Sequence, residues 1–370
     1  MEFTIERADL IQSLGLAQGV VERRNTMPIL ANILLEADGE QLSISATDLE
    51  VHVKRGSPAK VKTPGSATVG ARKLFELVRE LGPGKVTIRS LENDFVEVTS
   101  NRSKVKLVGL APADFPSFPQ GSDKDGTTIE MAVDSLSRAI DRTLFAVSTD
   151  DTRPHLGGVL LTAHETGFRF VGTDGHRLAL ADLEIGGGGG SIEKGIILPR
   201  KGLAELRKLL DEVEGTANIR LLGNAIRVEQ GHVVLVMRLI DGEFPNYEQV
   251  VPESTKISIG VDKGELFAAL RRVSVVASDR ARGVRFGLTK GQLKVSASSP
   301  DFGEASEELE VEYAGEPVEV GFNARYLTDV LGVLPEDRRV VIGLSDESSA
   351  GVISSEDDAT YRYVVMPMRL

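Results

Sequence analysis

Six times along the chain a short alternating strand runs straight into an amphipathic helix, and this repeat limits the possible architecture more than any other feature. The strands are expected at Phe3 to Ile5, Ala67 to Val69, Ile129 to Met131, Ile196 to Leu198, Ile257 to Ile259 and Val318 to Val320. The first leucine of each following helix falls at Leu10, Leu74, Leu136, Leu203, Leu266 and Leu327, so successive copies stand 64, 62, 67, 63 and 61 residues apart. Even self-similarity of this kind means one supersecondary unit copied six times. Each helix shows the apolar period that marks a buried stripe. Leu74, Phe75, Val78 and Leu81 share a stripe with Arg72, Lys73, Glu76 and Arg79 off it. Val133, Leu136, Ile140 and Leu144 face inward while Arg138 and Arg142 lie on another face, and Leu203, Leu206 and Leu210 leave Arg200, Lys201, Arg207 and Lys208 outside. Between helices, apolar and polar residues alternate around turns such as Asp38-Gly39 and Thr166-Gly167, which are hairpin signals. The class expected is α+β: antiparallel sheets with the helices gathered on one face.

The half-repeats pair into three similar domains, expected at residues 1–121, 127–249 and 254–370, each with two helices. Asp114-Phe115-Pro116 closes the second unit and Glu243-Phe244-Pro245 the fourth, and each precedes a short polar stretch read as a linker, residues 120–126 and 252–255. The glycine run 186–190 reads as a hairpin loop inside the middle domain, since a strand and helix of that domain follow it.

Composition narrows the chemistry. A chain of 370 residues suffices for two or three cores. Cysteine is absent, which excludes disulfides and thiolate ligands; there is no signal-peptide pattern and no bilayer-length apolar run, so a cytoplasmic location is expected. A net charge of −12 argues against nucleic-acid binding if taken alone. The acid is uneven, however. Residues 304–316 and 354–358 read as solvated edges and loops, whereas several helices carry Arg and Lys on their polar side.

No catalytic or metal-binding constellation emerges. His52, His155, His164, His176 and His232 are scattered, without the spacing of a metal-binding helix. Gly186 to Lys194 leads into a strand and lacks a Ser or Thr after the lysine, unlike a phosphate loop; Asp123-x-Asp125-Gly126 is too short for a calcium loop. No cofactor and no metal are expected. Asp174 and His176 would serve as an acid/base pair in a hydrolase, or else belong to a tight turn with Gly175 at positive φ. The residues alone leave both open, along with a monomeric interaction module.

The segment Thr173-Asp174-Gly175-His176-Arg177-Leu178 resembles a signature of bacterial beta sliding clamps. Similar matches run in order through Asn25 to Leu30 with Thr47 to Glu50, Pro199 to Gly202, Asp241 to Tyr247, Arg282 to Arg285 and the ending Tyr363 to Leu370, so the resemblance covers essentially the whole chain. It implies a non-catalytic accessory subunit of DNA polymerase III. Six domains from two chains would close a ring around duplex DNA, contacting it without regard to sequence.

The resemblance also implies site residues. Phosphate contact would fall to Arg24, Arg72, Lys73, Arg200, Lys201, Arg282 and Arg285, each of which singly also fits a solvated surface charge. The homodimer contact would place Val105 and Leu107 against Val275 and Val276, although periodicity alone fits the valines to an ordinary core. A hydrophobic cleft between the second and third domains would take short peptides from the polymerase core, the clamp loader, other polymerases and repair proteins. Its matching residues are Leu156, Thr173, Gly175, His176, Arg177, Leu178, Pro245, Val250, Val364, Met366, Pro367, Met368, Arg369 and Leu370. Arg177 and the apolar residues are expected together to accept a peptide carrying one polar anchor and two or three Leu or Phe side chains, and the tail to leave its strand at Pro367 and lie along the cleft, or else to cap a core. This chain departs from some relatives at Pro154-His155, with Asp150 just before them, and at Gln249 and Ala350 on the cleft edge.

Overall fold

The computed structural model describes residues 1–21, 27–119, 128–165, 167–185, 192, 194–277, 282–335 and 339–369. Arg24, Leu370, the first linker and the glycine run therefore lie outside the described residues. Each expected strand leads into its helix: α1 Arg7–Val20, α2 Ala71–Glu80, α3 Val133–Leu144, α4 Arg200–Leu210, α5 Lys263–Val273 and α6 Ala324–Val333. None is long and apolar enough to cross a membrane.

Contacts divide the chain into two compact units. The first holds residues 1–137, 189–191 and 201–239; the second holds 138–188, 192–200 and 240–370. In the first unit a five-stranded sheet runs Lys60–Thr63, Glu2–Glu6, Lys85–Ser90, Phe95–Ser100, Ser103–Val108. An eight-stranded sheet there runs Thr128–Ala132, Thr216–Leu222, Ala225–Gln230, Val233–Arg238, Val51–Pro58, Gln41–Thr47, Asn32–Asp38, Gly65–Gly70. Its seam pairs Leu235 with Val53, strands from two different thirds of the sequence. The second unit repeats the plan. Its eight-stranded sheet runs Ile196–Pro199, Gly158–His164, Gly167–Thr173, Arg177–Glu184, Asp358–Val365, Gly351–Ser355, Arg339–Leu344, Ile257–Asp262. Here the seam pairs Leu178 with Val364. A four-stranded sheet, Gly303–Glu310, Gln292–Ser299, Gly283–Thr289, Val318–Asn323, completes it. The named ladders are all antiparallel; consecutive strands such as Gly158–His164 and Gly167–Thr173 connect through hairpins, while the seams join strands distant in sequence.

Helix stripes bury as their period requires. Leu74 and Val78 on α2 and Leu203 and Leu206 on α4 are buried, and full burial of one such side chain contributes about 1.5–3 kcal/mol. α5 and α6 start on side-chain caps: Asp262 accepts from Glu265 N at 2.8 Å and Asn323 from Arg325 N at 2.9 Å, each stabilising its helix by about 1 kcal/mol. α1 meets α4 closely enough that a side chain at Gly19 would collide with the buried Glu205 carboxylate.

One expectation fails on α3. Arg142 is only 6% exposed, against its expected place on the solvated face. The strand Asp358–Val365 covers it: a guanidinium nitrogen lies 2.7 Å from Asp358 Oδ2, and the group stacks 5.1 Å from the Tyr361 ring centre. A polar helix face stays wet only where no strand packs over it.

Candidate functional site

The second unit carries an apolar depression at the strand seam. Its floor and walls are Leu156, Thr173, Gly175, Arg177, Leu178, Pro245, Tyr247, Val250, Val364 and Met366, enclosing about 100 Å³. Three segments far apart in sequence make it. Paired Leu178 and Val364 supply buried apolar surface from two adjacent strands, over a core that includes Leu160, Val171, Leu180 and Ile197. The stretch between Ile240 and Val251 lies across that core through Ile240, Phe244, Tyr247 and Val251 and presents Pro245, Tyr247 and Val250 to the depression. Met366 closes the far side.

The turn beside it is over-determined. Thr173 Oγ1 donates to Arg177 O at 2.6 Å and accepts from Gly175 N at 3.1 Å. Asp174 Oδ1 accepts from the backbone N–H of His176 and Arg177, at 2.9 and 3.1 Å, and Gly175 takes φ +90°, where a Cβ would be strained. Both Asp174 oxygens are thus committed, one to the turn backbone and the other to Arg177 Nε at 3.1 Å. An acid/base partnership with the exposed His176 finds no support in that arrangement.

Nine of the residues named from sequence line the depression, and Tyr247 joins them. His176, Pro367, Met368 and Arg369 do not line it. His176 instead offers its carbonyl to Met366 N at 2.9 Å, while Met368 N donates to Gly321 O at 2.8 Å. The ladder stops at Val365, before Pro367, but the tail pairs again at once, bridging to the strand Val318–Asn323. It is held by its backbone at Met366 and Met368, where the expectation was a tail lying along the cleft. Tyr247 could have been found from sequence, since it stands two residues after Pro245 in a segment already singled out.

Arg177 differs from its expected role. It is 8% exposed, and its remaining nitrogens bind Asp329 Oδ2 at 2.6 Å and the Phe145 carbonyl at 2.7 Å. The Tyr326 ring centre lies 4.5 Å from the guanidinium carbon. Burial opposes the charge, but the surrounding acceptors, Asp329 and Asp174 among them, outweigh it and raise the Arg177 pKa. Each of its three nitrogens is bonded within the protein, and the side chain shapes the wall of the depression.

The candidate cations divide. Arg72 and Lys73 are exposed on α2 and share Glu76, at 2.6 and 3.0 Å, which holds the Glu76 carboxyl below its usual range. Lys201 is tied to Asp48 and Arg285 to Glu319, the latter at 2.9 Å. Arg200 and Arg282 are exposed. Among the dimer candidates Val275 is 78% exposed and Val276 half-buried, so neither belongs to the core that periodicity alone allowed. Val105 and Leu107 are half-buried on the edge strand Ser103–Val108.

The Arg142–Asp358 pair gives a stability prediction. Burial pushes the Asp358 carboxyl up, but bonds from Thr360 and Arg142 outweigh it and hold the group below its usual range. A depressed carboxyl contributes stability above its unfolded pKa, near 4, and loses it as pH falls through the lower folded value. Asp358→Asn should cost about 3 kcal/mol at pH 7 by leaving Arg142 buried without its charge partner. In urea melts the gap from wild type should narrow as pH drops below about 4; a gap independent of pH would contradict the pairing.

Family comparisons fit this geometry along the whole chain. Residues 1–119 match the N-terminal domain of the DNA polymerase III beta subunit, 130–246 its central domain and 248–369 its C-terminal domain. The chain belongs to the DNA polymerase III beta subunit family, the sliding clamps of DNA polymerase. The beta sliding clamp of Pseudomonas aeruginosa is 40% identical over 373 residues, and that of Caulobacter vibrioides 38% over 378, each match covering all of both chains. Among solved structures, a Caulobacter crescentus beta sliding clamp superposes with a TM-score of 0.93 at 38% identity, covering 100% of this chain and 99% of that one. A Bartonella birtlesii sliding clamp bound to griselimycin also gives 0.93, at 36% identity over the full length of both chains. The three-domain α+β clamp fold expected from the repeat is therefore the fold of this clamp.

Proposed function

We propose that this clamp acts as a ring-shaped homodimer that encircles duplex DNA and tethers the replicative polymerase and other DNA-processing proteins through the seam depression. The domains would divide near residues 1–121, 127–249 and 254–370. The observation that carries the tethering is the depression itself: an apolar groove whose walls include Leu178, Val364, Pro245 and Met366. Such a groove suits Leu or Phe side chains of a short peptide. Met366 adds a polarizable wall that adapts to varied partners, such as the polymerase III core, the clamp loader, other polymerases and repair proteins. The bound state of the Bartonella relative shows that a clamp of this family takes a ligand. With Asp174 and His176 used as a turn, this reading gives that pair a structural part and the protein the part of an accessory subunit, and a cytoplasmic location suits it.

Ring closure is supported by two surfaces. The edge strand Ser103–Val108 carries Lys104 and Lys106 beside Val105, Leu107 and the 69% exposed Val108. The edge strand Gly303–Glu310 carries Glu304, Glu307, Glu308 and Glu310, and the exposed Val275 follows α5, which packs on that strand. Paired head to tail, basic and acidic edges with apolar residues beside them close after two copies. Contacts by Arg24, Arg72, Lys73, Arg200, Lys201, Arg282 and Arg285 would be weak and blind to sequence, which permits sliding.

The test compares residence on closed and linear DNA with clamp loader supplied. Wild type should persist on circles and leave linear DNA by its ends, at least tenfold faster. Val275→Asp with Val276→Asp should give folded monomers not retained on either, because an unpaired carboxylate at a closed apolar contact costs several kcal/mol. Equal residence of wild type on both DNAs would sink encirclement.

A further inference from the structure

The helices α5 and α6 pack against each other, and a depression of about 560 Å³ opens between the last turn of α5 and the first of α6. Three arginines line it, Arg271, Arg282 and Arg325. Arg271 and Arg325 were not singled out in the sequence, because one sits at the end of α5 and the other at the start of α6, separated by more than fifty residues. Arg271 lies over the Phe267 ring at 6.0 Å. Arg282 is fixed at the rim by its main chain, whose carbonyl accepts from Ala324 N at 2.8 Å. Arg325 is exposed, its Nε 3.9 Å from Asp329 Oδ2.

Among the described residues Asp329 is the one acid lining the depression, and one carboxylate does not neutralise three cations. The same Oδ2 already receives Arg177 at 2.6 Å from the other side. The balance among these groups is strongly positive, within a chain whose net charge is −12. Guanidinium forks match phosphate oxygens with paired N–H donors. An open depression with exposed arginines exchanges its ligand quickly, as a sliding contact requires.

We propose that Arg271, Arg282 and Arg325 form a site for one backbone phosphate of duplex DNA. The site rests on the DNA-encircling reading and sharpens it by placing a discrete contact on the α5–α6 pair. An acidic peptide would satisfy the same forks, but it would also gain from apolar anchors, and among the described residues the only large apolar side chain lining the depression, Phe267, lies under Arg271.

The test is direct binding of a fluorescent duplex oligonucleotide across a salt series. Arg271→Gln with Arg325→Gln should weaken binding by about three- to tenfold at low salt and reduce the slope of log affinity against log salt by about 0.9, the value for one phosphate. Lys290→Gln with Arg362→Gln removes two exposed positive charges elsewhere in the same unit and should change affinity less than about twofold. Arg282→Gln alone should move affinity and slope in the same direction as the first pair, which keeps the site testable if the double variant folds poorly. Equal losses in both pairs would mean a diffuse field and overturn the site. So would a double variant that binds DNA normally but loses an acidic peptide. If wild type is retained on closed circles while the double variant keeps the full salt slope, this site alone falls. If wild type is not retained on circles, the encircling reading falls first.

Discussion

Arg177→Ala is expected to destabilise the clamp by about 3–5 kcal/mol, the usual cost of removing one partner from a buried ionic network. The side chain has no other place in the energetics than as a keystone. It joins Asp174 at the turn, Asp329 on α6 and the carbonyl of Phe145 beyond α3, and it lies between the Tyr326 and Phe145 rings. Truncation leaves two carboxylates and one carbonyl short of a donor. It also frees the turn that shapes the depression, so peptide affinity should fall more than tenfold, although each Arg177 nitrogen is bonded within the protein. Arg177→Lys should recover little of either loss, because one ammonium cannot reach three acceptors in a planar fork. Denaturant unfolding and peptide titration on the same samples check both effects. A variant within 1 kcal/mol of wild type that still loses the peptide would mean that Arg177 contacts the ligand directly.

Truncation after Val365 should produce the opposite pattern. Binding of a peptide of the Gln-Leu-x-Leu-Phe type is expected to drop more than a hundredfold, while stability falls by no more than about 2 kcal/mol. Among the described residues the tail makes backbone bonds from Met366 N to His176 O and from Met368 N to Gly321 O, and each contributes about 1 kcal/mol net. The side chains of residues 366–369 are exposed or half-buried, in contrast with the fully buried Tyr361 and Tyr363 just before them. Those two tyrosines bury the strand, with Tyr363 donating to Tyr326 O at 2.9 Å, and they remain after the cut. The wall formed by Met366 does not. Calorimetric unfolding with peptide titration separates the two quantities; a truncated clamp that binds as tightly as the intact one would place the peptide elsewhere.

Local pattern was enough to place the six helices and the strands that lead into them, because helix period and strand alternation are set by neighbours within a few residues. The resemblance to clamps added most of the depression's lining. The sequence did not reveal what a side chain meets across the fold. Arg142 belongs by period to a wet face, yet Asp358 and Tyr361 cover it from a strand more than two hundred residues later. Arg177 reads as a free cation until its bond to Asp329, 152 residues away, is seen. Tyr247 enters the depression only because its segment crosses the Leu178–Val364 seam, and Arg271 meets Arg282 and Arg325 only because α5 packs on α6. Periodicity states which face of an element is apolar, whereas the fate of the polar face depends on which distant element covers it. That choice is made by antiparallel seams and helix packing, so only the tertiary structure decided it.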